Sequence, residues 1–350
     1  STPAETEAAQ RWVQFAHSEA RIKSFWASHI GPRGEEGQQF HIVELDERLN
    51  KEQGDTVNTT LVMDLTSDGV SGAASTNLEG SEESPSRFSD SVLIGWLRNA
   101  IRSDRLSRQR AHHELQAEMA DKLAYWGERV LLDKWIFRKL SGTSQTDKNN
   151  AVVGEAAAAN SNIIYANNKT AVAEIEVGDE FTMDLTRQAK VAAMVGSLKG
   201  TTIYRIKPYR IDGQFYYLYV DRPEVRYAMR KSATWEENQR LARERALANP
   251  IFSGADGIDD GVIFKFHDLV VTATNGGAAG NVAYSNGLFL GTQAGTLYPA
   301  QEFPDWIEKT FEYSKFFGIA TGMIQGFDKL RYNSIDFAVI AIRSAIPANL

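Results

Sequence analysis

GDTVNTTLVMDLTSDGVSGAASTNLEGSEESPSRFSDSVLIGW, residues 54–96, decides how this chain is folded. Val57, Thr59, Leu61, Met63 and Leu65 alternate with polar residues, the period of a half-buried strand, and Asp68-Gly69 marks a turn. Phe88, Val92, Ile94 and Trp96 alternate again on the way back. Between the two runs, residues 71–86 are dominated by Gly, Ser, Glu and Asn. Val57 to Leu65 at about 3.3 Å per residue gives a finger roughly 30 Å long. Its acidic tip is too polar for a core, so the finger must project from the body or lie on another chain.

Outward from this stretch the periodicity changes. Residues 107–140 carry Leu115, Met119, Leu123, Trp126, Val130, Ile136 and Leu140 at near-helical spacing without a proline, and Ser141-Gly142 stops the run. This predicts a helix about 50 Å long, the spine of an elongated plate. Upstream, residues 5–27 read as an amphipathic helix with Trp12, Phe15, Ile22 and Trp26 on its apolar stripe, closed by Gly31-Pro32-Arg33-Gly34. Such an arm needs a surface for its aromatics, and a neighbouring subunit is one candidate; the first forty-odd residues are expected not to fold back onto their own body.

Downstream, 203–211 and 215–220 flank Asp212-Gly213 as a hairpin, with Pro208 confining the first strand to an edge or a bulge. Thr234 to Glu237 fits a capping box for a helix reaching about Ala248, and a strand is expected over 261–271. A Gly-rich stretch over 275–295, a helix over 304–317 and a strand over 337–342 complete the expectation. Strands and helices alternate without a regular βαβ beat, which predicts an α+β fold.

Composition bounds the function. The chain has 350 residues, 43% hydrophobic, enough for a sizeable core, and a formal net charge of -7 that repels phosphate backbones and anionic lipid. Cysteine is absent, which removes disulfides, thiolate nucleophiles and Cys-based zinc sites. No run reaches the ~18 apolar residues of a membrane span, and Ser1 to Glu5 have no basic or apolar leader, so a soluble chain made in a cytoplasm is expected.

The chemical candidates each have a plainer explanation. Gly69-Val70-Ser71-Gly72-Ala73 falls short of a nucleophile elbow and sits between strands. His112 and His113 are adjacent and point about 100° apart on a helix, which does not suit a shared metal. Asp256, Asp259 and Asp260 miss the spacing of a calcium loop and read as turn residues. Tyr204, Tyr209, Phe215, Tyr216, Tyr217 and Tyr219 beside Arg205, Lys207 and Arg210 could stack bases, but aromatics are also good strand formers, and packing is favoured. Gly276-Gly277-Ala278-Ala279-Gly280 lacks the Lys-Ser/Thr of a phosphate loop. No cofactor and no metal are expected.

Several blocks in order resemble one family. They are Gly54-Asp55-Thr56-Val57, Gly69-Val70 through Leu78-Glu79-Gly80-Ser81-Glu82-Glu83, Asp90-Ser91-Val92, Ser107-Arg108-Gln109-Arg110, Phe137 to Gly142, Asn249-Pro250-Ile251-Phe252-Ser253-Gly254-Ala255-Asp256-Gly257, Gly322-Met323-Ile324-Gln325-Gly326 and Asp336 to Ile340. Together they are similar to the major capsid proteins of tailed, including short-tailed, bacteriophages; residues 1–40 carry little of the likeness, and Ile258-Asp259-Asp260-Gly261 departs from it.

The resemblance implies the tailed-phage and herpesvirus major capsid fold: an N-terminal arm (1–39), an extended β-hairpin loop (40–102), a peripheral domain with the spine helix (103–200), an axial domain (201–325) and a C-terminal strand returning to the peripheral domain (326–350). It implies no enzyme, but a virion protein that self-assembles into hexamers and pentamers of an icosahedral shell around phage DNA. Portal and scaffold or cement proteins are the further partners, DNA is touched only by weak non-specific contact, and no membrane is involved. Assembly would take place in the host cytoplasm. Intersubunit contacts are expected from Trp12, Phe15, Trp26, Glu79, Glu82, Glu83, Arg105, Arg108 and Arg110. The rival readings are an acidic cytosolic α+β enzyme and another virion component such as a tail or decoration protein.

Overall fold

The computed structural model describes residues 24–32, 41–48, 56–62, 82–106, 115–142, 160–211, 214–231, 235, 257–301 and 305–347. Two short strands open it, Ile30–Pro32 (β1) and Val43–Leu45 (β2). The finger follows as Thr56–Val62 (β3) against Arg87–Leu93 (β4), and Gly95–Asp104 (β5) leads from it toward the spine. The spine is Leu115–Trp126 (α1), a π-helical segment Gly127–Lys134, and Trp135–Ser141 (α2). Gly142 ends it at φ 71°, where a side chain would be strained, and its N–H bonds back to Arg138 and Lys139 carbonyls.

Next come Ile163–Tyr165 (β6), the helix Met183–Val195 (α3), the hairpin Tyr209–Ile211 (β7) and Gln214–Asp221 (β8), and the helix Pro223–Arg230 (α4). The remainder is nearly all strand: Gly257–Asp259 (β9), Val262–Phe266 (β10), Thr272–Gly276 (β11), Val282–Leu290 (β12), Gly295–Pro299 (β13), Asp305–Phe311 (β14), Phe316–Lys329 (β15), Arg331–Tyr332 (β16), Ile335–Asp336 (β17) and Val339–Ala345 (β18).

An eight-stranded sheet runs β9-β10-β8-β12-β18-β6, with β11 added to β12 and β7 to β8. Its centre is buried: Tyr219, Phe264, Leu288, Phe289, Val339 and Ile340 are all 0% exposed. The second sheet runs β1-β2-β13-β15-β14, with β5 also paired to β15. Trp135, Ile136, Phe137 and Leu140 of the spine join the same core as both sheets.

The expected hairpin forms as read: Gln214 faces Ile211 across the two-residue Asp212-Gly213 connection, and β7 is cut to three residues just after Pro208. Two expectations are corrected. Residues 305–311 and 316–329 are paired strands, not a helix, because β5 supplies a partner on β15 some 215 residues away in sequence. The Gly-rich stretch 275–295 holds the central strand β12, where Gly287 leaves room that a Cβ would take from Tyr219 Oη and Asp221 Oδ2, at 2.5 and 2.6 Å. The C-terminal strand β18 pairs with β12 and β6, so it completes the eight-stranded sheet, while β13 to β15 belong with β5 and the spine. Strand pairing here is non-local.

Candidate assembly surface

The finger is anchored at its root. In the β3–β4 register Val57 faces Val92, Thr59 faces Asp90 and Leu61 faces Phe88. Val57 and Val92 pack with the fully buried Tyr298 of β13, together with Ile94 and Ala300. A second tie comes from the Arg331 backbone N–H, which donates to Asp90 Oδ2 at 3.0 Å. Farther out Val62 is 53% exposed, Glu82 is exposed and Glu83 half-buried. Glu79 and the Gly69–Ala73 loop lie outside the described residues.

β5, β15 and β14 form a three-stranded antiparallel ledge with two unlike faces. The register alternates residues between them: Leu97 faces Met323, and Ile101 faces Ile319, on the face toward α1. There Ile319 packs with Met119 and Leu123, and Ile101, Trp306 and Phe317 close round them. On the opposite face the cross-strand rows read Trp96–Ile324, Arg98–Gly322–Asp305, Ala100–Ala320–Ile307, Arg102–Gly318–Lys309 and Asp104–Phe316–Phe311. Ile307 is 55% exposed, Trp96 43% and Phe311 40%. The connection Glu312-Tyr313-Ser314 holds all three residues at positive φ (48°, 50° and 67°) with Tyr313 wholly in solvent.

Trp26 is a correction. Expected on an arm, it is 0% exposed in the chain's own core, its ring centroid 4.9 Å from Phe137. Residues 25–28 form a 3-10 turn and not the end of a long helix. The reason is a local clasp: Ser24 Oγ and the Phe25 N–H both donate to Asp133 of the π segment, at 2.6 and 3.1 Å. Burial raises the Asp133 carboxyl, and burial together with Lys265 lowers His29 to about 3. Lys265, itself lowered by burial to about 8, lies 3.2 Å from His29 Nε2. Residues 24–32 therefore fold back onto the body, against the expectation for 1–39. Trp12, Phe15, Arg108 and Arg110 lie outside the described residues. Arg105 is exposed where β5 ends, its N–H bonded to the Lys315 carbonyl.

Of the turn acids, Asp259 and Asp260 have structural partners, and Asp256 lies outside the described residues. Arg187 of α3 bonds Asp259, and Lys190 reaches Asp260, which stands at φ 47°. Among the described residues no cluster of His, Asp and Glu suits a metal. The aromatic hairpin packs inward, with Tyr217 and Tyr219 in the core and Phe215 left exposed. Sequence reading missed the outer ledge; its signal was the run of aromatic and β-branched residues at 306–320, which also fits helical spacing.

What the geometry defines is a structural protein of the α+β class, with a rooted projecting finger and a bare sheet face. Its residues 16–348 match the sequence profile of the phage capsid protein family, and the chain belongs to that family. The "Major capsid protein" of Pseudomonas phage KPP25 is 28% identical over 334 residues, covering 86% of each chain. The capsid of Ralstonia phage GP4 superposes with a TM-score of 0.80 at 25% identity, over 94% of this chain and 92% of the other. The capsid of cyanophage Pam1 shares the fold at 19% identity, with a TM-score of 0.72 over 93% of each chain. The role is that of a phage major capsid protein, a virion component.

Proposed function

We propose that copies of this chain join into hexameric and pentameric rings of an icosahedral shell enclosing phage DNA, without any enzymatic step. The observation that carries this is the finger: a two-stranded ribbon is barely stable alone in water, yet this one is tied at its root to β13 and β16 and leaves Val62 exposed. Contacts repeated round closed rings add many small contributions into a strong shell. The eight-stranded sheet serves as the axial domain, and the spine, β5 and β13 to β15 as the peripheral domain. The arm is the part preceding Ser24.

Portal and scaffold or cement proteins would complete the particle, made in the host cytoplasm, and the net charge of -7 keeps contact with packaged DNA weak. The finger lies across an adjacent subunit, where Glu79, Glu82 and Glu83 meet basic residues such as Arg105, Arg108 or Arg110. Reversing all three glutamates to lysine is expected to abolish shells in negative-stain micrographs while the unassembled protein keeps its parent melting curve. Normal shells from that variant sink the proposal.

A further inference from the structure

The dipeptide Asn-Gly occurs at Asn275-Gly276 and again at Asn286-Gly287, and the fold treats the two differently. In such a pair the second residue has no side chain, so its backbone nitrogen reaches the asparagine carboxamide with little hindrance. Packing requires the glycine at both places. A Cβ at Gly276 would stand 2.8 Å from the Val282 carbonyl oxygen and 3.0 Å from Tyr284 Cδ1, and Gly287 lies against Tyr219 Oη and Asp221 Oδ2. The reactive pair is therefore retained twice, and what separates the two copies is the surroundings of each asparagine.

Asn286 is locked in the middle of β12 and buried. Its N–H donates to the Val271 carbonyl at 3.0 Å, and its Oδ1 accepts from Arg343 Nε at 3.0 Å. Ser285, Asn286 and Gly287 pair in unbroken register with Ser344, Arg343 and Ile342 of β18. Ring closure there has to wait for the carboxamide to leave Arg343 and for the central sheet to open. Asn275 is exposed, and among the described residues its carboxamide has no hydrogen-bond partner. The β11–β12 register passes from Ala273 opposite Tyr284 to Gly276 opposite Val282, so Thr274 and Asn275 together face Ala283 alone. Such a bulge leaves its extra residue out of the ladder and bends the strand. β11 ends at Gly276, and the turn beyond it begins at Gly277 with φ 80°. Opening at Asn275 disturbs one strand end, whereas opening at Asn286 disturbs the core.

We infer that Asn275 is a site of spontaneous modification, an asparagine that cyclises with Gly276 in the folded protein while Asn286 is preserved. The Gly276 backbone nitrogen attacks Asn275 Cγ and gives up its proton to solvent, the Cγ–Nδ2 bond breaks, and ammonia leaves. Water then opens the cyclic imide. Opening at the side-chain carbonyl leaves an ordinary aspartate, and opening at the backbone carbonyl leaves a chain that runs on through Cγ. The balance is a carboxamide and water becoming a carboxylate and ammonium, so each converted copy gains a negative charge. The second product also lengthens the backbone beside Gly277, whose N–H bonds the Val172 carbonyl at 3.0 Å, and so loosens β11 from the segment 172–175. Protein in a finished virion is not replaced, so the converted fraction rises with the age of the particle.

The test is incubation of the purified full-length chain at mildly alkaline pH, in buffer and in urea, followed by chymotryptic peptide mapping by mass. Cleavage at Tyr284 puts the two asparagines on separate peptides. In buffer the Asn275 peptide should gain about 1 Da at a rate at least roughly tenfold above that of the Asn286 peptide. In urea the two rates should come together. Asn275→Gln should abolish the gain, because its longer side chain closes a larger ring far more slowly, and should keep the parent melting curve. Equal rates in the folded chain overturn the inference, as does an Asn275 that converts only in urea. A gap that persists unchanged in urea overturns it too, since neighbouring residues and not the fold would then be the cause. So does a gain that survives in the Asn275→Gln chain.

Discussion

The eight-stranded sheet and the outer ledge both carry large apolar residues and are finished differently. Every residue from Ser285 to Leu290 is no more than slightly exposed, with β8, β11 and β18 on its flanks and helices over it. β14, with Trp306, Ile307 and Phe311, has a strand on one side and solvent along most of its length. Large apolar residues on a strand therefore do not by themselves mean that its face is covered. That depends on what else lies over it, and among the described residues the ledge has α1 on one face only.

The sharpest break of this comparison is at its closed end. Phe289→Ala should cost about 3–5 kcal/mol in urea unfolding of the unassembled protein, whereas Phe311→Ala on the ledge should cost under about 1 kcal/mol. A loss at Phe311 as large as at Phe289 would mean that the ledge is core. Next is the buried pair Lys329–Asp336, both side chains 0% exposed and 3.1 Å apart, with Arg331 on the same carboxylate. Asp336→Leu should destabilise by about 3–5 kcal/mol, and Lys329→Met added to it should recover most of that loss.

Acidity offers a smaller, signed test. Burial raises Asp221 to about 6, so the folded state takes up this proton before the unfolded one, and its contribution improves as pH falls from 7 toward 4. His29 is lowered to about 3, so the unfolded state binds its proton first and stability drains as pH falls below 6.5. A tenfold difference in proton affinity between the folded and unfolded states is worth about 1.4 kcal/mol. Denaturant midpoints against pH should show Asp221→Asn removing the gain and His29→Gln removing the loss. The smallest effect expected is Lys309→Gln, within about 0.5 kcal/mol in the unassembled protein.

Much of this fold was legible because it is local. The Asp212-Gly213 hairpin, the finger strands and the Gly142 stop each follow from residues within a few positions of one another. What escaped is decided at a distance. Trp306, Ile307, Phe311 and Phe317 fit helical spacing and become strands because β5 pairs with β15. Trp26 looks like an arm residue until Asp133, over a hundred positions away, fixes the chain beside it. Helices α3 and α4 were not read at all; α3 opens at Thr182 without a side-chain cap and runs through Val191 and Val195, which resemble strand residues. The acidic run of the finger is visible as composition, whereas the cation-bearing outer face of the ledge exists only after three strands align their alternate residues.

β15 spans 14 residues and touches both regions. Its first half carries the ledge; its last five residues pair with β13, which holds Tyr298 beneath the finger root. An extended strand has almost no slack along its axis. A tug on the finger would thus travel down this strand as through a tendon and reach the ledge, so load is carried from one end of the sheet to the other and not absorbed at the finger's root.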